Sequence, residues 1–268
     1  MNQSRTLTIA NVQITLTQDS TSGSHATTIW PAGLLLSHYI SSIYSSRAKH
    51  RSLPSLDQKS VVDLGSGTGI CAIVASRVLG ASWTFATDLS EHAKGILAAN
   101  IAANRVAGDL PPARDVQQLS SSGTLDADVV VTSETPKTPR SSNPTRPAPP
   151  ILASVPLDWL SPTLPPTLLP HLPFSLILGS DTLFSLALLP AFFRTLTALS
   201  GPRTIALLAT ESRDPAVIEE AWKEAARCGW FVKKLTWDKI RKTVGKLDEQ
   251  WWEEVEGAQV FELKRKRG

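Results

Sequence analysis

The segment Val61–Gly69, VVDLGSGTG, constrains the fold more than any other part of this chain. Ser60 to Leu64 reads as a short apolar strand that runs into Gly65, Gly67 and Gly69 and then straight into a helical pattern. In that pattern Ile70, Ile73, Val74, Ala75 and Val78 recur at helical spacing and Gly80 stands where a helix stops. A strand that leaves through a glycine turn into a helix begins a βαβ unit, and the next segments continue it. Trp83 to Thr87 reads as a second strand, and Ser90 to Asn104 as a helix with Ala93, Leu97 and Ile101 on one face.

The alternation resumes further on. Ile151 to Leu157 and Phe174 to Gly179 read as buried strands, the second continuously apolar as a central parallel strand should be. Leu183 to Leu199 reads as a helix and Thr204 to Ala209 as a strand. Asp214-Pro215 opens a helix with an inner face of Val217, Ile218, Ala221, Trp222 and Ala225, closed by Gly229. Phe231 to Leu235 and Gln259 to Leu263 read as two last strands joined by an acidic, tryptophan-containing segment. The expectation is an α/β fold of about seven strands.

Between the two halves lies a proline-rich stretch. Of the 19 prolines, 14 fall between Pro111 and Pro173, and residues 134–150 (ETPKTPRSSNPTRPAPP) lack any periodicity that could offset the entropy of ordering them. Residues of about 106–150 are therefore expected to be a disordered insertion within a single domain spanning 1–268. The spacings Pro136-x-x-Pro139 and Pro144-x-x-Pro147 match a polyproline ligand pattern that is common in such tracts.

Composition narrows the function classes. Lys and Arg number 27 against 24 Asp and Glu, a formal +3 that does not advertise a nucleic-acid partner. Cys71 and Cys228 are far apart and lack companions at metal spacing, so neither a disulfide framework nor a metal site is expected, which fits a reducing compartment. The apolar region Leu176 to Phe193 is broken by Asp181 and Pro190, and no membrane span is expected. The closing Lys264-Arg265-Lys266-Arg267 reads as a solvated basic tail rather than a nuclear signal.

The glycine turn is the candidate ligand site. Glycines there permit φ > 0 and let a ligand lie against bare backbone. A dinucleotide fingerprint would place its third glycine at position 70, where Ile70 stands, so a pyrophosphate is disfavoured and an adenosyl group without phosphates is suited. Asp88, at the end of the next strand, can accept hydrogen bonds from both hydroxyls of a ribose; its plain alternative is an N-cap for the helix beginning at Ser90.

These residues resemble the seven-strand, class I S-adenosylmethionine-dependent methyltransferases, with Asp63-x-Gly65-x-Gly67-x-Gly69 similar to their first motif and Asp88 to the acidic residue after it. Beyond the fourth strand, Asp181-Thr182-Leu183-Phe184 resembles the Asp-x-x-Tyr/Phe motif of the methyltransferase-like protein lysine methyltransferases. Trp30 in TTIWPAG, Leu157-Asp158-Trp159 and Ala209-Thr210-Glu211-Ser212-Arg213 resemble further blocks of that family, in the family's order.

The resemblance implies a Rossmann-like seven-stranded sheet with helices on both faces and an antiparallel last strand. It implies S-adenosyl-L-methionine held by Trp30, Asp63, Gly65, Ser66, Gly67, Gly69, Asp88, Leu89, Trp159 and Ser180, with Asp181 and Phe184 catalytic. The implied partner is a protein presenting a lysine, translation elongation factor 1-alpha being one target type of the family; the chain is expected to be a monomer in the cytoplasm, with the nucleus as a further location. The same fold also serves small molecules and RNA, and a non-catalytic adapter using the proline-rich insertion is a further alternative. Phe184 stands where the family's commoner tyrosine would supply a hydroxyl, and Trp159 lies 55 positions after Asn104. For Trp30 and Trp159 the plain reading is core packing, and for Asp181 a helix N-cap near Leu183.

Overall fold

The computed structural model describes residues 3–19, 21, 24–45, 59–105, 150–211 and 213–266. The proline-rich insertion, its polyproline spacings, Ser212 and Arg267 lie outside them.

Seven strands form one sheet: β3 (Ser60–Leu64), β4 (Trp83–Asp88), β5 (Ile151–Pro156), β6 (Phe174–Ser180), β7 (Ser200–Glu211), β8 (Trp230–Lys234) and β9 (Ala258–Arg265). Their order is β5-β4-β3-β6-β7-β9-β8. The first five are parallel, and β9 inserts antiparallel between β7 and β8. Counted within this sheet the order is 3-2-1-4-5-7-6, the doubly wound arrangement with a reversed last strand that the motifs imply. The chain reverses direction from β3 outward to β4 on one side and β6 on the other. The crevice beyond the strands' carboxyl ends at that point is where open α/β sheets bind ligands.

Alternation along the central strands builds two cores. On β6, Leu176 and Leu178 face one side with Val61, Ile205 and Leu207, while Ile177 faces the other with Val62, Leu64, Ala206 and Leu208. All are fully or nearly fully buried, so both faces are covered and the strands read as continuous apolar runs. One face is covered by α1 (Pro31–Ser45), α2 (Ile70–Arg77) and α4 (Ile96–Ala103), with the later helices α7 (Trp237–Val244) and α8 (Glu249–Glu254). The other is covered by α5 (Leu189–Ala198) and α6 (Pro215–Arg227).

Several boundaries differ from the sequence reading. The helix expected over Ser90 to Asn104 is two helices, α3 (Ser90–Lys94) and α4, because the chain breaks at Gly95 (φ −96°, ψ −116°). The helix expected from Leu183 starts at Leu189, after a single 3-10 turn at Leu186–Leu188, with Pro190 in its first turn where a missing N–H costs nothing. The basic run at the end is not a free tail. Lys264 and Arg265 belong to β9, Lys264 pairs with Glu262, and Arg265 donates to the Cys228 carbonyl at 2.6 Å beside the Trp230 ring.

Sequence reasoning also missed an N-terminal hairpin, β1 (Gln3–Ile9) and β2 (Val12–Gln18). Its two-residue turn, Ala10-Asn11, has φ of +48° and +65°, the type I′ geometry that matches strand twist. The hairpin matters for the site. Asn100 on α4 and Asn104 at its C-cap, four residues apart, act as a surrogate strand for β2: each side-chain amide accepts from and donates to one backbone residue, Thr17 and Thr15 respectively. Asn100 also donates to the Thr68 carbonyl at 2.9 Å, tying the hairpin to the glycine turn.

Candidate active site

The turn after β3 is held from inside. Gly65, Gly67 and Gly69 take φ of +62°, +54° and +87°, all in the left-handed region open to glycine. The Ser66 hydroxyl is committed to the turn: it accepts from the Thr87 amide at 3.0 Å and donates to the Asp63 carbonyl at 2.9 Å, so Ser66 presents only its backbone side to a ligand. At Gly67 space is also short, because a Cβ would lie 3.2 Å from the Ala26 carbonyl oxygen. The segment from Ser24 to Trp30 crosses above this turn and is pinned by the Trp30 indole N–H donating to the His25 carbonyl at 2.7 Å.

A cavity of about 780 Å³ opens over the turn at the carboxyl ends of the strands. The structure brings together Trp30, Gly65, Ser66, Gly67, Asp88, Leu89, Trp159, Ser180, Asp181 and Phe184 as its lining. Two expected site residues stand off it. Gly69 caps α2, and Asp63 is fully buried beneath the turn, where neither carboxylate oxygen has a hydrogen-bond partner in good geometry. Burial pushes the Asp63 carboxyl up to about 7, with donors from Ser66 and Ala72 opposing and the nearby Asp88 adding to the rise.

Asp88 occupies one end of the cavity. One oxygen accepts from the Gly67 amide and the other from the Leu89 amide, both at 2.8 Å, which fixes the carboxylate plane. Its pKa is raised by burial, against the pull of those two amides. The N-cap alternative does not hold, because Leu89 is the capping residue of α3 and no side chain caps that helix.

Asp181 occupies the other end. No helix starts at Leu183, so its N-cap alternative has nothing to cap. Its φ is +56°, an uncommon conformation for a residue with a side chain, held by its amide donating to the Ala209 carbonyl at 2.8 Å. Its carboxylate pairs with the Arg213 guanidinium at 2.8 Å. Burial raises its pKa, and Arg213 opposes that rise. Phe184 is 61% exposed, a large aromatic face at the cavity rim that the core does not use. Trp159 packs edge-on against Phe192, and a Cβ on Gly65 would lie 3.1 Å from its ring, so the indole is both anchored and in the cavity wall.

Several lining residues escaped the sequence reading. His92 sits one helical turn after Asp88 and faces the same end of the cavity, a spacing that could have flagged it. Thr182 is buried with a hydroxyl that has no partner among the described residues. Arg213 was visible only as the end of a motif, with no hint of its three contacts.

An adenosyl cofactor fits this arrangement on the structure's own terms. A carboxylate locked by two amides keeps lone pairs for a diol, a bare turn leaves no room for side chains, and an orphaned hydroxyl in the wall lacks a polar partner. Among the described residues no group of His, Cys, Asp or Glu could hold a metal, and no helix is long and apolar enough to cross a membrane.

Comparison with known proteins finds a family model that matches part of the chain. Residues 8–134 match the family model described as lysine methyltransferase. No curated protein sequence matches the chain. Among solved structures, similar ones include the CcbJ methyltransferase from Streptomyces caelestis, at 10% identity over 92% of this chain and 94% of that one, TM-score 0.49. The mitomycin 7-O-methyltransferase MmcR shows 9% identity over 87% and 53%, TM-score 0.47. The T. thermophilus 16S rRNA N2 G1207 methyltransferase RsmC shows 13% identity over 100% and 51%, TM-score 0.45. The chain spans about half the length of the latter two.

Proposed function

We propose, from the match of residues 8–134 to the lysine methyltransferase family model and from the cavity's fit to an adenosyl group, that the cavity binds S-adenosylmethionine and methylates a lysine side chain of a protein. Asp88 would hold the ribose hydroxyls, the turn from Gly65 to Gly67 would lie against the nucleoside and amino-acid portions, and Trp159 and Leu89 would supply apolar walls. When bound, the cofactor supplies an electrophilic methyl on a sulfonium.

The chain's own residues then act on the acceptor. A lysine ammonium, with an ordinary pKa of about 10.4, must lose its proton to water before its nitrogen can attack. Asp181 draws in and orients the nitrogen, while Phe184 offers its ring face to the cationic charge and flanks the approach. The single observation that carries this reading is Asp181. A largely buried carboxylate in a left-handed conformation at the end of a central strand, facing the cavity opposite Asp88, suits an amine acceptor.

Elongation factor 1-alpha is the first substrate to try, in a cytoplasmic setting. Incubating the protein with methyl-labelled S-adenosylmethionine and a cell lysate tests the reading. The expected result is a labelled protein band that is at least a hundredfold weaker with Asp181→Ala. Label found only in RNA or in small molecules would overturn it.

A further inference from the structure

Arg213 stands at the acceptor end of the cavity with three partners from three parts of the fold. Its guanidinium donates to Asp181 at 2.8 Å from the end of β6 and to Glu211 at 2.6 Å from the end of β7. It also lies over the Trp30 ring, 4.4 Å from the centroid, ahead of α1. The three groups are not a loose surface cluster. The side chains of Asp181 and Glu211 are 11% and 21% exposed, against 47% for Arg213, so the cation closes over two carboxylates that are largely withdrawn from water. Two carboxylates and one guanidinium leave a single net negative charge in the cavity wall, matched to one ammonium.

We infer that Arg213 is a positioning residue: it holds the Asp181 carboxylate in its receiving orientation and locks it to Trp30, so that one cationic amine is accepted there. The inference rests on the lysine reading for its acceptor but not for its geometry. The other charged groups near this end are already engaged. Asp214 accepts from the Ala216 amide as the N-cap of α6, and Asp158 accepts from the Leu160 amide. Asp181 is therefore faced by Arg213 and Glu211 alone among charged side chains shown to act on it. Removing the guanidinium leaves Asp181 with burial and a like charge, both of which favour its protonated form, opposed by the Glu211 amide that donates to it at 3.4 Å.

The test compares wild type, Arg213→Ala and Arg213→Lys, each saturated with S-adenosylmethionine. In carboxyl carbon-13 NMR titrations without acceptor, Arg213→Ala should move the Asp181 midpoint up by about one pH unit or more, since an opposite charge this close is worth about 1–3 units. Arg213→Lys should restore most of it. With a lysine-bearing acceptor, the limb of kcat/KM that Asp181 governs should move up the pH scale by the same amount, so that the activity loss of Arg213→Ala deepens as pH falls and closes as pH rises. Cofactor affinity should stay within about threefold of wild type. An unmoved Asp181 titration in Arg213→Ala overturns the inference. A shifted titration in a protein that never methylates lysine upholds the positioning role and overturns the acceptor reading instead.

Discussion

Replacing Asp88 by alanine should cost this protein most of its hold on S-adenosylmethionine. The Asp88 oxygens each accept one backbone amide, from Gly67 and Leu89, and retain lone pairs directed to the cavity end they line. A hydrogen bond to a charged acceptor contributes roughly 1.5–3 kcal/mol net. Two ribose hydroxyls at the low end of that range give about 3 kcal/mol, or roughly a 150-fold rise in Kd. Alanine also frees the Gly67 amide in a turn already at φ +54°, which adds to the loss. Asp88→Asn keeps one acceptor oxygen and should lose about tenfold. Isothermal titration calorimetry on protein with an unchanged circular dichroism spectrum reads both numbers. A Kd for Asp88→Ala within threefold of wild type would refute the assignment of that carboxylate to the sugar.

Two further outcomes follow from buried polar groups. Asn100→Ala strips partners from both backbone groups of Thr17 and from the Thr68 carbonyl, and should destabilise the protein by roughly 1–3 kcal/mol in urea unfolding; a loss under 0.5 kcal/mol would show that the hairpin is held by other contacts. Asp63, raised to about 7 from an ordinary unfolded value near 3.9, contributes stability that is full below about pH 4 and lost as pH rises through about 7. Asp63→Asn, which mimics the protonated form, should therefore gain thermal stability relative to wild type between pH 5 and pH 8. Melting midpoints that differ by the same amount at both pH values would contradict a buried, titrating carboxyl.

How far the sequence revealed this molecule depends on the range of the interactions involved. The central strands were legible because continuous apolar runs such as Leu176-Ile177-Leu178 have one cheap destination, a sheet covered on both sides, and the glycine turn because only glycine enters its backbone angles. Asp214-Pro215 was legible because capping is local, and Asp214 does accept from Ala216. What stayed hidden was non-local or finely balanced. The N-terminal hairpin gains its partner from Asn100 and Asn104, more than eighty residues away in sequence. The break at Gly95 and the late start of α5 fall inside stretches whose apolar spacing reads as continuous helix. At the site, residue identity pointed to Asp88 and Asp181, but not to the internal duty of the Ser66 hydroxyl or to the Arg213 bridge, because hydrogen-bond partners are chosen in three dimensions.

The most direct measurement is the chemical form of the transferred methyl. Acid hydrolysis of protein labelled by the purified enzyme and tritiated S-adenosylmethionine, followed by amino-acid chromatography, should place the counts in methylated lysine. Counts eluting with methylated arginine or histidine, and none with lysine, would contradict an acceptor site built on Asp181.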